Sequence, residues 1–498
     1  MKSKIHKYLK NNRDIISNKF KLLLLTITVA LFATSCFEDR DDNLVLTNDV
    51  KDFVWKGMNE FYVYGNDVPD LRNERFGLNG LDNRYESTPE YLQYLGGFSS
   101  PETIFDALVF DAGNTDRFST IFPDLFAALE LFQGTTTTNG LRFSAFPVPG
   151  SSNEVFAVVR LVLNGSTGDL AGIERNMVIT GVDGTTLNTT NFSDLLTQDT
   201  ATFNFANYDN NGTEALDDDI ITPNGTSITV SKEAFTDNPV HRVEVIVEDN
   251  ETIGYLMYNS FRDNFETELN QAFAQLQAAN VEHLVLDLRY NGGGAIVTAA
   301  RLASMITGQF NNQVFSNAVF GPNRQEDNTT FNFTNTITGG AAINSLNLDK
   351  VYVLTTDGSA SASELIINSL RPYIDVVQIG TTTTGKTTIN RLVFDSPDFG
   401  TQQVTSAHTY ALFPLIGDSS NRDNALVPST GLVPNIELAE SRANFGTLGD
   451  PNEPLLARAI ADITGSGRFT NSLDNSVLPE LKSKKLEEPL DGYMYIND

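Results

Sequence analysis

The sequence predicts an α/β multidomain protein: a helical N-terminal domain, a β-rich module and an α/β core. Three changes of pattern carry that reading. Apolar residues recur at helical spacing from Val50, strand-like runs take over from Gly140, and after Pro239 strands alternate with amphipathic helices. At 498 residues and 40% hydrophobic composition, the chain can bury a large core and is sized for two to three domains.

The first stretch is basic (Lys2, Lys4, Lys7, Lys10, Arg13, Lys19, Lys21), followed by the apolar run Leu22 to Phe32 and then Ala33-Thr34-Ser35-Cys36. That run is too short for a permanent membrane anchor and has the layout of an export signal. Cys36 sits where a bacterial lipobox puts its lipidated cysteine, so residues 1–35 are expected to be a lipoprotein signal peptide and 36–49 an acidic tether. The tether, Phe37 to Asn43, resembles the export signals of surface lipoproteins in the Bacteroidetes. An exported cell-envelope lipoprotein is expected, on the outer membrane, with either the surface or the periplasmic face open. Cys36 is the sole cysteine, which excludes an intramolecular disulfide and a cysteine-rich metal site. Loss of the leader takes the formal charge from −29 to about −35. So acidic a chain argues against nucleic acid and against electrostatic docking on anionic lipid, leaving the lipid on Cys36 as the membrane attachment.

Residues 50–135 read as the helical domain. Phe53, Val54, Met58, Phe61 and Tyr62 form a stripe at helical spacing, and Thr88-Pro-Glu-Tyr and Ser100-Pro-Glu-Thr have the form of helix starts. Residues 136–240 read as the β module, with strands at Leu141 to Phe146, Val155 to Val162 and Met177 to Val182. Its polar insert, Asn207 to Asp218, approximates a calcium loop. Glu214 replaces the usual apolar residue and Asp218 stands where a bidentate Glu closes such loops, so a solvated hairpin tip is expected and no metal.

Residues 241–464 form the α/β core. Strands are expected at Val243 to Val247, Ile253 to Tyr258 and Leu284 to Leu288, and helices at Phe265 to Ala279 and Ala295 to Ile306, the latter closed by Gly308. The next strand, Val351 to Leu354, leads through Asp357-Gly358 into the small residues Ser359 to Ser363 and a short helix ended by Pro372. A strand at Val376 to Ile379 and a Thr/Gly loop holding Lys386 follow. Ser361 falls at the strand-to-helix turn, where Ala360 and Ala362 let a carbonyl approach and leave N–H groups free.

A serine nucleophile needs a base, and three histidines survive export. His241, His283 and His408 lie in none of the glycine or helix-start contexts of Ser361, and His283 abuts a buried strand. Lysine is scarce, and Lys386 lies in an acid-free stretch, Thr381 to Thr388. A lysine base must be neutral near pH 7, a fall of roughly 3 pKa units that burial without a carboxylate partner supplies.

The run Ser359-Ala-Ser-Ala-Ser-Glu364, with Gly385-Lys386 at the spacing seen here, resembles the tail-specific (carboxyl-terminal processing) serine peptidases, family S41. The resemblance implies a nucleophile at Ser361 and a base at Lys386. It puts Asn390 where many members have a glutamine that orients the lysine amine. Leu284 to Gly294, reading LVLDLRYNGGG, is the second signature. It implies an oxyanion hole from the Ala362 N–H and one glycine N–H, Gly293 with Gly292 or Gly294 as alternatives. The 136–240 stretch resembles a PDZ module, with Gly140-Leu141-Arg142-Phe143 at the loop that takes a peptide's carboxylate. The core resembles the crotonase/ClpP-like fold.

A Ser/Lys serine endopeptidase acting on protein or peptide substrates, needing no cofactor, is therefore expected. Two rivals stand beside it: a non-catalytic surface lipoprotein that binds peptides or glycans with a decayed site, and a crotonase acting on acyl-CoA. Beyond Thr464 the polar, mixed-charge residues 465–498 are expected to form a loosely attached tail.

Overall fold

The computed structural model describes residues 47–213, 217–440, 445–465, 480–486 and 492–496. The signal peptide, Cys36 and most of the tether lie outside the described residues, as do 214–216 of the polar insert. Among the described residues no helix is long and apolar enough to cross a membrane. The whole is a mixed α/β multidomain fold.

The N-terminal helix α1 (Thr47–Phe61) buries Phe53, Val54, Trp55, Met58 and Phe61 on the main core. Both helix starts form as expected: Thr88 Oγ1 accepts from Tyr91 N and Ser100 Oγ from Thr103 N. The helical domain then turns inward at Asp116–Ser119. Asp116 is pinned there by the Tyr62 hydroxyl at 2.6 Å and by the N–H groups of Phe118 and Ser119.

The β module is an antiparallel sheet with its own core. Leu141–Pro147 forms its edge, followed by Val155–Val162, Val178–Val182, Thr200–Asp209 and Ile220–Ser231. The short helix Phe192–Leu196 packs below it. Asn207 to Asp209 end the fourth strand of this sheet, paired with Ile220 to Thr222, and at the tip beyond them Thr213 Oγ1 donates to Asp218.

The central sheet runs β1 (Val240–Glu248), β2 (Glu251–Tyr258), β3 (His283–Asp287), β4 (Lys350–Thr355), β5 (Asp375–Gly380) and β6 (Ile436–Glu437). β1 and β2 are antiparallel and the remaining neighbours parallel. Helices α2 (Glu266–Ala278), α3 (Ile296–Thr307) and α4 (Ala362–Leu370) cover one face and α5 (Pro454–Thr464) the other. Central strands buried on both faces are near-continuous apolar runs, as VYVL and LVLDL are. The C-terminal ends of β3 and β4 deliver the glycine loop and the Ser361 turn side by side, where open parallel sheets place their ligands.

A second sheet closes the site. In it β7 (Thr388–Arg391) pairs antiparallel with Leu415–Asn421 and parallel with β8 (Met494–Ile496). The expectation of a loose tail is therefore corrected for 492–496, while 466–479, 487–491 and 497–498 lie outside the described residues. Met494 and Tyr495 are buried, and β8 fills the slot between Gly294–Ala295 and β7. Gly492-Tyr-Met-Tyr-Ile is an aromatic and aliphatic run inside a polar tail, and burial of such side chains outweighs the ordering of a few residues.

Candidate active site

Ser361 precedes α4 in a conformation that L-residues avoid, φ +57° and ψ −112°, and is fully buried. Strain of this kind persists only where the surroundings over-determine it. Here Glu364 supplies the restraint. Its Oε2 accepts from Ser361 N at 2.8 Å and from Lys386 N at 2.9 Å, while its Oε1 accepts from Gly385 N at 2.7 Å and from the Thr383 hydroxyl. Burial pushes the Glu364 carboxyl up, against these hydrogen bonds, which pull it down. One carboxylate thus ties the serine turn to the lysine loop.

The Lys386 amine is buried and donates to Asn390 Oδ1 at 2.7 Å. It sits 4.3 Å from the Phe118 ring centroid and 4.9 Å from that of Tyr493. Burial drives its pKa well below the ordinary lysine value, against the upward pull of Asp116 and Glu364 and with help from Arg117. Among the described residues no carboxylate pairs with it. Asn390 Nδ2 donates to both Phe118 O and Phe413 O at 3.1 Å, so both amide hydrogens are spent and the oxygen must face the lysine. The shorter arm of asparagine reaches the amine from β7.

The glycine loop lies hard against the serine. A Cβ on Gly293 (φ +122°) would meet Tyr493 O at 2.5 Å and Ser361 Cβ at 2.8 Å; one on Gly294 (φ +136°) would meet Phe261 O at 2.2 Å. Among the described residues the N–H groups of Ala362 and Gly292 have no partner. Gly293 donates to Asn291 Oδ1 at 2.9 Å and Gly294 to Tyr493 O at 2.7 Å. The loop is braced from beneath by Arg289, fully buried, which binds Asp287, Glu453 and Glu440.

The Ser361 hydroxyl bonds the carbonyl of Gly492 at 2.8 Å and not the lysine amine. The direct dyad contact expected from the sequence is therefore replaced, in this state, by a contact with the tail. The histidines are elsewhere: His283 pairs with Glu251 at 2.9 Å and His408 with Asp395 at 2.8 Å. His241 is half-buried, and desolvation first and Arg142 next depress its pKa to about 4. In the module, Gly140 N donates to Thr138 Oγ1 and Leu141 N to Asn139 Oδ1, Arg142 reaches Tyr290 O at 3.3 Å, and Phe143 packs on Phe203. Two donors of that loop are thus already committed.

Sequence reasoning missed Glu364, Phe118 and the tail. Glu364 had a signal, since Ser361-x-x-Glu364 is a capping-box pattern. Phe118 and Gly492 had none, because each reaches the site only through the fold.

The peptidase family S41 profile matches residues 252–412, and the peptidase S41 N-terminal domain profile matches residues 49–120. The chain is 28% identical over 181 residues to the carboxyl-terminal-processing protease of Picosynechococcus sp., covering 36% of this chain and 40% of that one. It is 29% identical over 147 residues to the probable CtpA-like serine protease of Staphylococcus epidermidis, covering 30% of this chain and 28% of that one. The matches thus span less than half the length of these relatives. A crystal structure of a Bacteroides fragilis protein assigned to the S41 proteases superposes with a TM-score of 0.65 at 26% identity, over 83% of this chain and 97% of that one. On both of its matched segments, and in the fold that joins them, the chain belongs to peptidase family S41.

Proposed function

We propose that this chain is an exported serine endopeptidase of the carboxyl-terminal-processing type, working through a Ser361/Lys386 dyad. The observation that carries the reading is the Lys386 amine: buried, free of a carboxylate partner, aimed by Asn390, and tied through Glu364 to the strained turn of Ser361. A desolvated amine is a base at neutral pH, and a serine on a strained turn is held ready for attack.

In the reaction the Ser361 hydroxyl turns to the amine, gives up its proton and forms a bond from Oγ to the carbonyl carbon of a peptide. The Ala362 N–H and a glycine N–H of the 292–294 loop, that of Gly292 being the one without a partner among the described residues, hold the oxyanion. Lys386 returns its proton to the leaving amine as the C–N bond breaks, and water releases the acyl chain. No cofactor enters these steps. The antiparallel module, proposed as PDZ-like, guides the substrate along its edge strand. Cys36 carries the lipid that holds the enzyme at the outer membrane. Incubation of parent and Ser361→Ala protein with a peptide library tests the activity; equal cleavage by both removes the proposal. Loss of radiolabelled fatty acid in Cys36→Ala cells tests the anchor, and retained label excludes it.

A further inference from the structure

The chain's own C-terminal residues lie where a peptide chain must lie to meet Ser361. Gly492 N donates to Gly292 O at 2.9 Å, and Gly294 N donates to Tyr493 O at 2.7 Å. β8 then pairs parallel with β7 on its other side. This is strand addition into a slot with two unpaired walls. Side chains alternate along it. Tyr493 packs on Phe413 at 5.3 Å and Phe118 at 6.2 Å, Tyr495 on Phe132 at 4.9 Å, and Met494 points the other way into the core. The Tyr493 ring also lies on the Lys386 amine.

An upstream piece of the same tail rests on the module. Leu481 N donates to Ala145 O on the edge strand at 2.8 Å, Leu481 and Leu486 pack on the module core, and Lys485 pairs with Asp194 on the helix Phe192–Leu196. Lys482 binds Asp357 beside the serine turn at 3.0 Å. The tail thus touches the edge strand, the nucleophile and the base in turn. A cavity of about 890 Å³ runs beside it, walled by Asp116, Arg117, Phe143, Gly358 and Tyr493.

We infer that residues 480–486 and 492–496 are a resident pseudo-substrate, filling two aromatic-lined subsites that take peptides with aromatic side chains at alternate positions. The inference rests on the peptidase reading above. It is an inhibitor's pose, because a hydroxyl has one proton: given to Gly492 O, it is not given to Lys386, and the carbonyl accepts from the nucleophile and not from the Ala362 N–H. Substrate must displace the tail, so the apparent reactivity of Ser361 is scaled by the fraction of chains with the slot open.

The test uses the full chain and a fluorophosphonate probe of Ser361. Tyr493→Ser/Tyr495→Ser protein is expected to label about tenfold faster or more than the parent, as an open fraction near one in ten implies. The tagged heptapeptide Gly-Tyr-Met-Tyr-Ile-Asn-Asp is expected to bind that variant and slow its labelling. In the parent, a peptidyl boronate with aromatic side chains is expected to raise hydrogen exchange in 480–486 and 492–496 together, a readout that needs no variant. Equal labelling rates in parent and variant, or unchanged exchange under bound boronate, would overturn the inference. So would spontaneous loss of residues 493–498 by intact mass, since the tail is then a substrate. A variant that binds the heptapeptide yet never labels supports the occupied slot and sinks the peptidase reading instead.

Discussion

Ser361 and Lys386 donate their backbone N–H groups to one and the same oxygen, Oε2 of Glu364. The serine turn and the lysine loop are far apart in sequence, and a buried carboxylate with four donors sets their spacing. Glu364→Gln puts an amide NH₂ where one or two buried N–H groups need an acceptor, each unmet donor costing about 1–3 kcal/mol. The turn and loop then separate. Displacement on the order of 1 Å costs about 100-fold in rate, so Ser361 labelling by fluorophosphonate is expected to fall by that factor. Circular dichroism should show a folded protein, and parent-like labelling would remove Glu364 from the site's architecture.

Asn390 gives the Lys386 amine an acceptor that carries no charge. Asn390→Asp supplies an opposite charge at hydrogen-bond distance, which raises the lysine pKa by about 1–3 units. The acidic limb of the pH profile for kcat/KM is expected to move to higher pH by that amount, with the alkaline plateau kept. Asn390→Ala instead loses the aim of the amine and lowers the plateau about 10-fold or more without moving the limb alkaline. An Asp variant with the parent's limb would show that Lys386 is not the titrating base.

Much of this was legible beforehand, for definite reasons. Parallel strands buried on both faces read as unbroken apolar runs, so β3, β4 and β5 were found to within a residue or two. Ser361 and the glycine loop stood out as small residues between a strand and a helix and Lys386 as a scarce lysine in an acid-free stretch, while their roles came from the resemblance to the tail-specific peptidases. Phe118 walls the lysine only because the Asp116 turn folds inward, and no periodicity marks a turn for that. The tail misled for a similar reason. Averaged over 465–498 it is polar, and the five residues that decide its place, Gly492 to Ile496, are too few to shift the mean.

A buried lysine also leaves a mark on stability. The folded-state pKa of Lys386 is depressed below its unfolded value, so its contribution is favourable at high pH and is lost as pH falls through the folded value. Lys386→Met removes that proton linkage while keeping the apolar stem. The variant is expected to melt higher than the parent at pH 6, with the gap shrinking as pH rises toward 10.5, the ordinary lysine value, because the unfolded amine's hold on its proton weakens. Scanning calorimetry across that range checks it. A gap that is constant with pH would mean the amine is charged in its pocket.

Arg289 braces the glycine loop from below, and its loss should be felt more as collapse than as slowed chemistry. It neutralises Asp287 and Glu453, bonds Glu440 at 2.9 Å, and is wholly buried. Removing one partner from such a cluster costs about 3–5 kcal/mol, because Asp287 and Glu453 stay buried without their cation. Arg289→Ala is expected to lose stability on that scale in urea. Burial alone would raise the Glu440 carboxyl, yet Arg175 and Arg289 bring it to about 2. A depressed acid stabilises above its unfolded pKa of about 4.5 and loses that contribution as pH falls toward 2. The parent should therefore weaken between those values, while Arg289→Ala, whose Glu440 keeps only Arg175 and is less depressed, should show a smaller acid-linked loss that is complete at higher pH. Superimposable acid-unfolding curves for the two proteins would mean that Arg289 does not govern the Glu440 proton.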